Sequence, residues 1–209
     1  MEVLIGTTNP SKVERFKALL SGCDITFYTL RDLQIDQEPE EIGNTPEENA
    51  ILKAKFYGAY FDRVICNDAG LYFDGLPLDD PRQPGLHVRT PGGVHRLNDE
   101  EMIAHYADLV HALGGKVLAY YLDGIAVYNR GKIESFMGSS EDVKDSAFYM
   151  VDCPSPKRQP GWPLDSLSLD CRTMRYFVDD EDEDLSGDSV IVGEYRRRVV
   201  AFLKKALAL

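Results

Sequence analysis

The opening stretch of the chain leaves little freedom. Val3-Leu4-Ile5 is a continuous apolar run closed by Gly6, too short for a helix and suited to a strand buried on both faces. Thr7-Thr8-Asn9-Pro10-Ser11-Lys12 follows, with Asn9 a favourable N-cap and Pro10 a favourable first helical residue. Val13, Phe16, Leu19 and Leu20 then recur at helical spacing to about Leu20, and Gly22 ends the run. A buried strand feeding directly into a capped helix is a building unit of α/β folds. The chain is expected to form a mixed sheet with flanking helices.

The remaining pattern extends this reading. A second strand is predicted near 25–28, followed by an acidic connection over 32–43. Thr45-Pro46-Glu47-Glu48 opens a helix to about Tyr60, with Thr45 as cap and Glu48 closing a capping box. A strand at 63–66 runs into Asn67-Asp68-Ala69-Gly70-Leu71, and the Pro-, Gly- and Asp-rich stretch 74–93 reads as a long loop. Loops of that length in compact domains are usually functional. Asn98 to Glu101 starts a helix ending near Gly114. From 116 to 150 the pattern becomes strands, with turn signals at Asp123-Gly124 and Asn129-Arg130-Gly131-Lys132. A Pro-rich region at 153–163, an acidic run at 179–184 read as a solvated loop, and a terminal helix over 188–209 complete the chain.

Composition narrows the partners. The 209 residues are expected to form one sizeable domain, 1–209, in two lobes rather than independent modules. A formal charge of 23 − 35 = −12 argues against a general nucleic-acid surface. A polyphosphate could still be bound by a few placed cations and a metal ion. The four cysteines are far apart without a CxxC pair, so a reducing cytosol is expected rather than a disulfide framework or zinc site. The N-terminal run lacks the form of a signal peptide, and no apolar run approaches the roughly 20 residues that span a bilayer. A cytoplasmic protein without membrane contact is expected.

Four places could carry chemistry. The helix start after Asn9 presents N–H groups and a partial positive charge suited to phosphate, with Thr7 and Thr8 hydroxyls and the Lys12 ammonium nearby. A capped surface helix is the plainer reading, and GxxxxGK[ST] is absent. Glu41 and Asp68 could hold Mg²⁺ through oxygen, or Asp68 could orient a water; each could equally be a turn cap or an exposed acid. Lys53 lies on the helix opened by Thr45, where a lysine usually faces solvent. Trp162, in Pro160-Gly161-Trp162-Pro163-Leu164-Asp165, could stack on a base or plug the core.

Taken in order, these pieces resemble the inosine triphosphate pyrophosphatase family, which hydrolyses triphosphates of deaminated purines. Its Thr-x-Asn-x-x-Lys appears at Thr7 to Lys12, its Glu-x-Gly at Glu41-Ile42-Gly43, and its helix at Glu48-Asn49-Ala50-Ile51-Leu52-Lys53-Ala54. Its Asp-Asp-Ser-Gly-Leu is matched by Asn67-Asp68-Ala69-Gly70-Leu71, and its Pro-Gly loop by Pro84-Gly85, with Arg89 beyond. The resemblance is dense over about 3–90 and thins afterwards. The Gly-Phe-Gly-Tyr-Asp-Pro loop corresponds to Gly161 to Ser166, with Trp162 for the stacking Phe and Asp165 kept; the late Ser-His-Arg is degenerate as Glu194-Tyr195-Arg196.

The resemblance implies a long mixed sheet with two lobes around a central cleft, a homodimer, and Mg²⁺-dependent cleavage of a nucleoside triphosphate to monophosphate and pyrophosphate. It assigns the phosphates to Thr7, Thr8, Asn9 and Lys12, and charge neutralisation to Lys53. Metal binding falls to Glu41 and Asp68, with Asp68 also activating water. Substrate contacts fall to Ala69, Trp162, Asp165 and Arg196. Asn67 departs from the motif's first acid, which is expected to weaken metal binding, and Glu194 and Tyr195 depart from its base-reading residues, which is expected to alter base selectivity. The rival reading is a nucleotide-binding protein without catalysis, supported by those same departures. A purely structural role would rely on the acidic run alone.

Overall fold

The structure, a computed structural model, describes residues 1–93, 95–179 and 193–209. In chain order the elements are β1 (Glu2–Ile5), α1 (Pro10–Leu19), β2 (Thr26–Thr29), α2 (Pro46–Tyr57), β3 (Arg63–Phe73), α3 (Asp99–Ala112), β4 (Lys116–Asn129), β5 (Lys132–Met137), the single turn α4 (Ser140–Val143), β6 (Phe148–Val151), β7 (Ser168–Asp170) and α5 (Gly193–Leu207). The sheet is mixed, ordered β2-β1-β3-β4-β6-β7, with β5 on β4. β1 runs parallel to β2 and β3, whereas β4 is antiparallel to β5 and β6. This is the α/β class expected from the opening strand and helix.

The chain forms two compact units, with boundaries inside β3 and β4. The first comprises 1–69, 122–142 and 191–209, and its core gathers Leu4, Ala50, Ala54, Tyr57, Val64 and Ala126. The second comprises the described residues of 70–121 and 143–190, with Phe73, Met102, Tyr106, Val110, Phe148 and Met150 at its centre. Each fully buried aliphatic or aromatic side chain contributes roughly 1.5–3 kcal/mol, so both units have a substantial apolar core.

Local signals explain most element ends. Asn9 caps α1, accepting from the Ser11 and Lys12 N–H groups. Thr45 accepts from Glu48 N–H at the start of α2, but the Glu48 carboxylate reaches Asn44 N–H rather than the cap's own, so the box is half formed. At α3 the box of Asn98 and Glu101 is complete. Arg130 and Gly131, with φ of 49° and 93°, form the β4–β5 hairpin, as the Asn-Arg-Gly-Lys signal predicts.

Four expectations are corrected. The strand at 63–66 does not stop before Asp68; β3 continues to Phe73, because the Leu71-Tyr72-Phe73 run buries its side chains. Asp123-Gly124 is not a turn but lies within β4. Gly124 has no positive φ; a Cβ there would meet the backbone of Pro46 and Glu47 at 2.2 Å, so the glycine serves close approach to the start of α2. α2 ends at Tyr57 rather than Tyr60, and Gly58 next to it lies against the Tyr128 ring, 2.7 Å from where a Cβ would sit. The second strand is shifted by one residue, to Thr26–Thr29. The start expected for the terminal helix at residue 188 and the acidic run beyond Asp179 lie outside the described residues.

Gly124→Ala should therefore lower the unfolding free energy by about 1–3 kcal/mol or more, since overpacking against backbone leaves no rotamer to escape into. Urea denaturation measures it. An unchanged midpoint would show that α2 does not dock through Gly124.

Candidate active site

α2 supplies the frame of the site. Its inward face carries Asn49 and, one turn later, Lys53, neighbours at i and i+4. Asn49 is 2% exposed and uses both ends of its amide. Nδ2 donates to Asp68 Oδ2 at 2.8 Å, while Oδ1 accepts from Gly43 N–H at 2.8 Å. One side chain thus ties the loop after Glu41 to β3. Gly43 must be glycine there, because a Cβ would lie 2.7 Å from Asn49 Oδ1.

Lys53 lies between two acids. Its Nζ is 2.6 Å from Glu41 Oε1 and 3.5 Å from Asp68 Oδ1. Lys53 and Asp68 are largely enclosed, with side chains 15% and 13% exposed, whereas Glu41 is half open at 49%. Burial pulls the Lys53 pKa down, but Asp68 and then the Glu41 contact outweigh it, so the ammonium is held above the ordinary lysine value. Lys53 is therefore a fixed cation rather than a solvated one.

Lys12 is different. It is half-buried on the first turn of α1, and among the described residues it makes no ion pair. Its pKa is lowered, chiefly by burial, with Asp123 opposing and Lys53 adding to the fall. A cation so placed lacks a counter-ion that a bound anion could supply. The expected donors of the α1 N-terminus are taken, however. The Ser11 and Lys12 N–H groups point to Asn9 Oδ1 and the Val13 N–H to Asn9 O, and Pro10 has none. An anion here would meet side chains rather than free first-turn amides, which corrects the sequence reading. Thr7 Oγ1 accepts from Asn9 N–H, and Thr7 and Thr8 line a cavity of about 730 Å³ beside α1, so both face open space.

Sequence reasoning missed a further layer. Asp123, 1% exposed, takes Arg15 Nη1 at 2.7 Å and Nη2 at 3.4 Å, together with Asn67 Nδ2 at 3.1 Å. The Asp-Gly pair reads as a turn and hides this acid inside a strand. Asn49 was detectable as a polar residue on the face shared with Ala50 and Ala54. Arg15 carried no signal beyond its place on α1.

Ala69, half-buried in β3, is next to Asp68. Arg196, exposed on α5, donates to Ala18 O at 3.3 Å. Tyr195, the residue before it, is buried and leaves its hydroxyl without a partner among the described residues. Trp162 and Asp165 belong to the second unit. There Asp99 accepts from Gly161 N–H and pairs with Arg89, which also donates to Gly161 O, so the loop leading to the half-buried Trp162 is clamped. Asp165 is 8% exposed, and burial pushes its pKa up to about 6.

No cluster of three or more His, Cys, Asp or Glu suited to a metal occurs among the described residues. Glu41 and Asp68 converge on one ammonium and are oxygen donors only. Such a pair fits a hard cation that also takes phosphate and water oxygens, as Mg²⁺ does.

A model of the Ham1 family matches residues 3–141. A dITP/XTP pyrophosphatase of Thermoanaerobacter pseudethanolicus is 34% identical over 167 residues, covering 78% of this chain and 77% of that protein. One from Leptospira interrogans is 33% identical over 146 residues, covering 68% and 70%. Among solved structures, a Ham1 protein from Coxiella burnetii superposes with a TM-score of 0.71 at 19% identity, covering 99% of this chain and 100% of that one. The Staphylococcus aureus Ham1 protein gives 0.69 at 22% identity, covering 98% and 99%. These two likenesses bear on the fold.

Two outcomes are expected. Asn49→Ala should cost about 1–3 kcal/mol in chemical denaturation, because Gly43 N–H and Asp68 Oδ2 both lose a partner; a neutral variant would contradict the bracing role. Asp165 binds its proton more tightly folded than unfolded, so its contribution is present at low pH and lost as pH rises through about 6. Wild-type stability relative to Asp165→Asn should therefore be greater at about pH 5 than at about pH 7.5. Equal differences would show that Asp165 is not desolvated.

Proposed function

The chain belongs to the Ham1 family, and from that premise we propose that it is a nucleoside-triphosphate diphosphatase, cleaving a triphosphate to monophosphate and pyrophosphate in house-cleaning of the nucleotide pool. The observation that carries the reading is the pairing of Lys53 with both Glu41 and Asp68, beside a Lys12 that makes no ion pair among the described residues. A non-catalytic binder would have no use for two acids gathered at a cation site.

Phosphoryl chemistry asks mainly for positioning and charge neutralisation. Lys12 grips the triphosphate with the Thr7 and Thr8 hydroxyls and the free end of the Asn9 amide. Lys53 neutralises charge on the group undergoing attack. Glu41 and Asp68 would hold Mg²⁺, and the ion would supply further charge neutralisation there. Asp68, its Oδ2 fixed by Asn49, orients the attacking water and takes its proton. Ala69, Trp162, Asp165 and Arg196 make the remaining substrate contacts, with Trp162 stacking on the base. Tyr195 and Glu194, in place of the motif's His and Ser, shift the base preference.

The whole chain acts as one functional domain, as a homodimer, in the cytoplasm, and does not bind nucleic acid. Among the described residues no helix is long and apolar enough to cross a membrane.

Asp68→Asn should reduce pyrophosphate release by at least about a hundredfold while the protein stays folded. Near-normal turnover in that variant would remove Asp68 from the mechanism. A panel of ITP, XTP, dUTP, GTP and ATP, assayed with Mg²⁺ and with EDTA, ranks the bases and tests the metal. Release unaffected by EDTA would exclude Mg²⁺, and a sharp preference for ITP and XTP would overturn the shifted selectivity.

A further inference from the structure

Asp123 has no part in the chemistry just described, yet it ties together the elements that bear it. It projects from β4 and is 1% exposed. Arg15, whose side chain is 10% exposed, pairs with it from α1, and Asn67, 1% exposed, donates to it from β3. Arg15 is one turn beyond Lys12 on the same helix, and Asn67 immediately precedes Asp68. Asp123 is also the strongest influence opposing the effect of burial on Lys12. Gly124, the next residue, admits the start of α2, which carries Asn49 and Lys53.

Three cations, Lys12, Arg15 and Lys53, face three carboxylates, Glu41, Asp68 and Asp123. The motif this stretch resembles has an acid where Asn67 stands. An acid here would place a fourth carboxylate about 3.1 Å from Asp123, and two like charges at that distance do not both ionise. Without Asp123, Arg15 would be left enclosed and unpaired.

We infer that Asp123 is a positioning residue that takes over, from β4, the carboxylate the related motif carries at position 67 in β3, and that by holding Arg15 and Asn67 it places Lys12 and Asp68 for triphosphate hydrolysis. The inference rests on the diphosphatase reading. It makes Asn67 a compensated exchange rather than a degenerate position.

Charge exchange tests it. Asn67→Asp, Asp123→Asn and the two combined are compared for kcat and KM on the best triphosphate, with thermal melting to establish folding. Each single change should lower kcat about 10–100-fold, the usual cost of removing a supporting partner. The pair should regain at least about tenfold over Asn67→Asp, since coupled residues are not additive. Asp123→Asn strands Arg15 and can fail to fold, so the decisive comparison is Asn67→Asp against the pair. A folded pair no faster than Asn67→Asp overturns the inference, as does a folded Asp123→Asn with wild-type kcat. A wild-type protein that turns over no triphosphate overturns only the hydrolytic reading. The exchange is then judged by calorimetric binding of inorganic tripolyphosphate with Mg²⁺, weakened in Asn67→Asp and regained in the pair; no recovery there overturns it too.

Discussion

Cations drawn out of water must be matched by charge or by bound anions, and the first unit is arranged around that demand. Arg15 is matched by Asp123, Lys53 by Glu41 and Asp68, and Lys12 by no ion pair among the described residues. On the proposed reading, a bound polyanion completes the balance at this ammonium. The matched ones fit the strand geometry that the approach of α2 imposes at Gly124 and that burial of Leu71 to Phe73 imposes beyond Asp68. A turn at either place would withdraw a carboxylate from its cation.

α2 converts that balance into a fixed geometry. Its start approaches β4 closely because Gly124 has no side chain, and its buried face directs Asn49 and Lys53 toward the same acid. Asn49 holds one oxygen of Asp68 while the other faces Lys53, so the carboxylate cannot rotate without breaking a contact. A carboxylate held this way keeps its orientation when substrate arrives, and preorganisation of that kind is where phosphoryl-transfer sites gain most of their rate.

Much of this was legible in the residues. The β1–α1 junction, the Asn9 and Thr45 caps and the hairpin at Arg130-Gly131 follow from local chemistry that packing does not override. Lys12, Glu41, Lys53 and Asp68 could be named because they fall in ordered motifs. Asp123 could not. Asp-Gly is a strong turn signal, and only the approach of α2, distant in sequence, makes that glycine a strand residue. Asn67 read as a loss for the same reason, since its compensating acid comes from another strand. The α1 N-terminus read as a phosphate site although the Asn9 cap, legible in the same residues, already occupies its amides.

The most direct test of the account is the identity of the product. Phosphorus NMR of ITP incubated with the protein and Mg²⁺ should show the triphosphate signals replaced by pyrophosphate and IMP in equal amounts, with no diphosphate intermediate. Orthophosphate with IDP would mean cleavage at the terminal phosphate. Unchanged triphosphate across the nucleotide panel, with folded protein, would contradict the hydrolytic reading altogether.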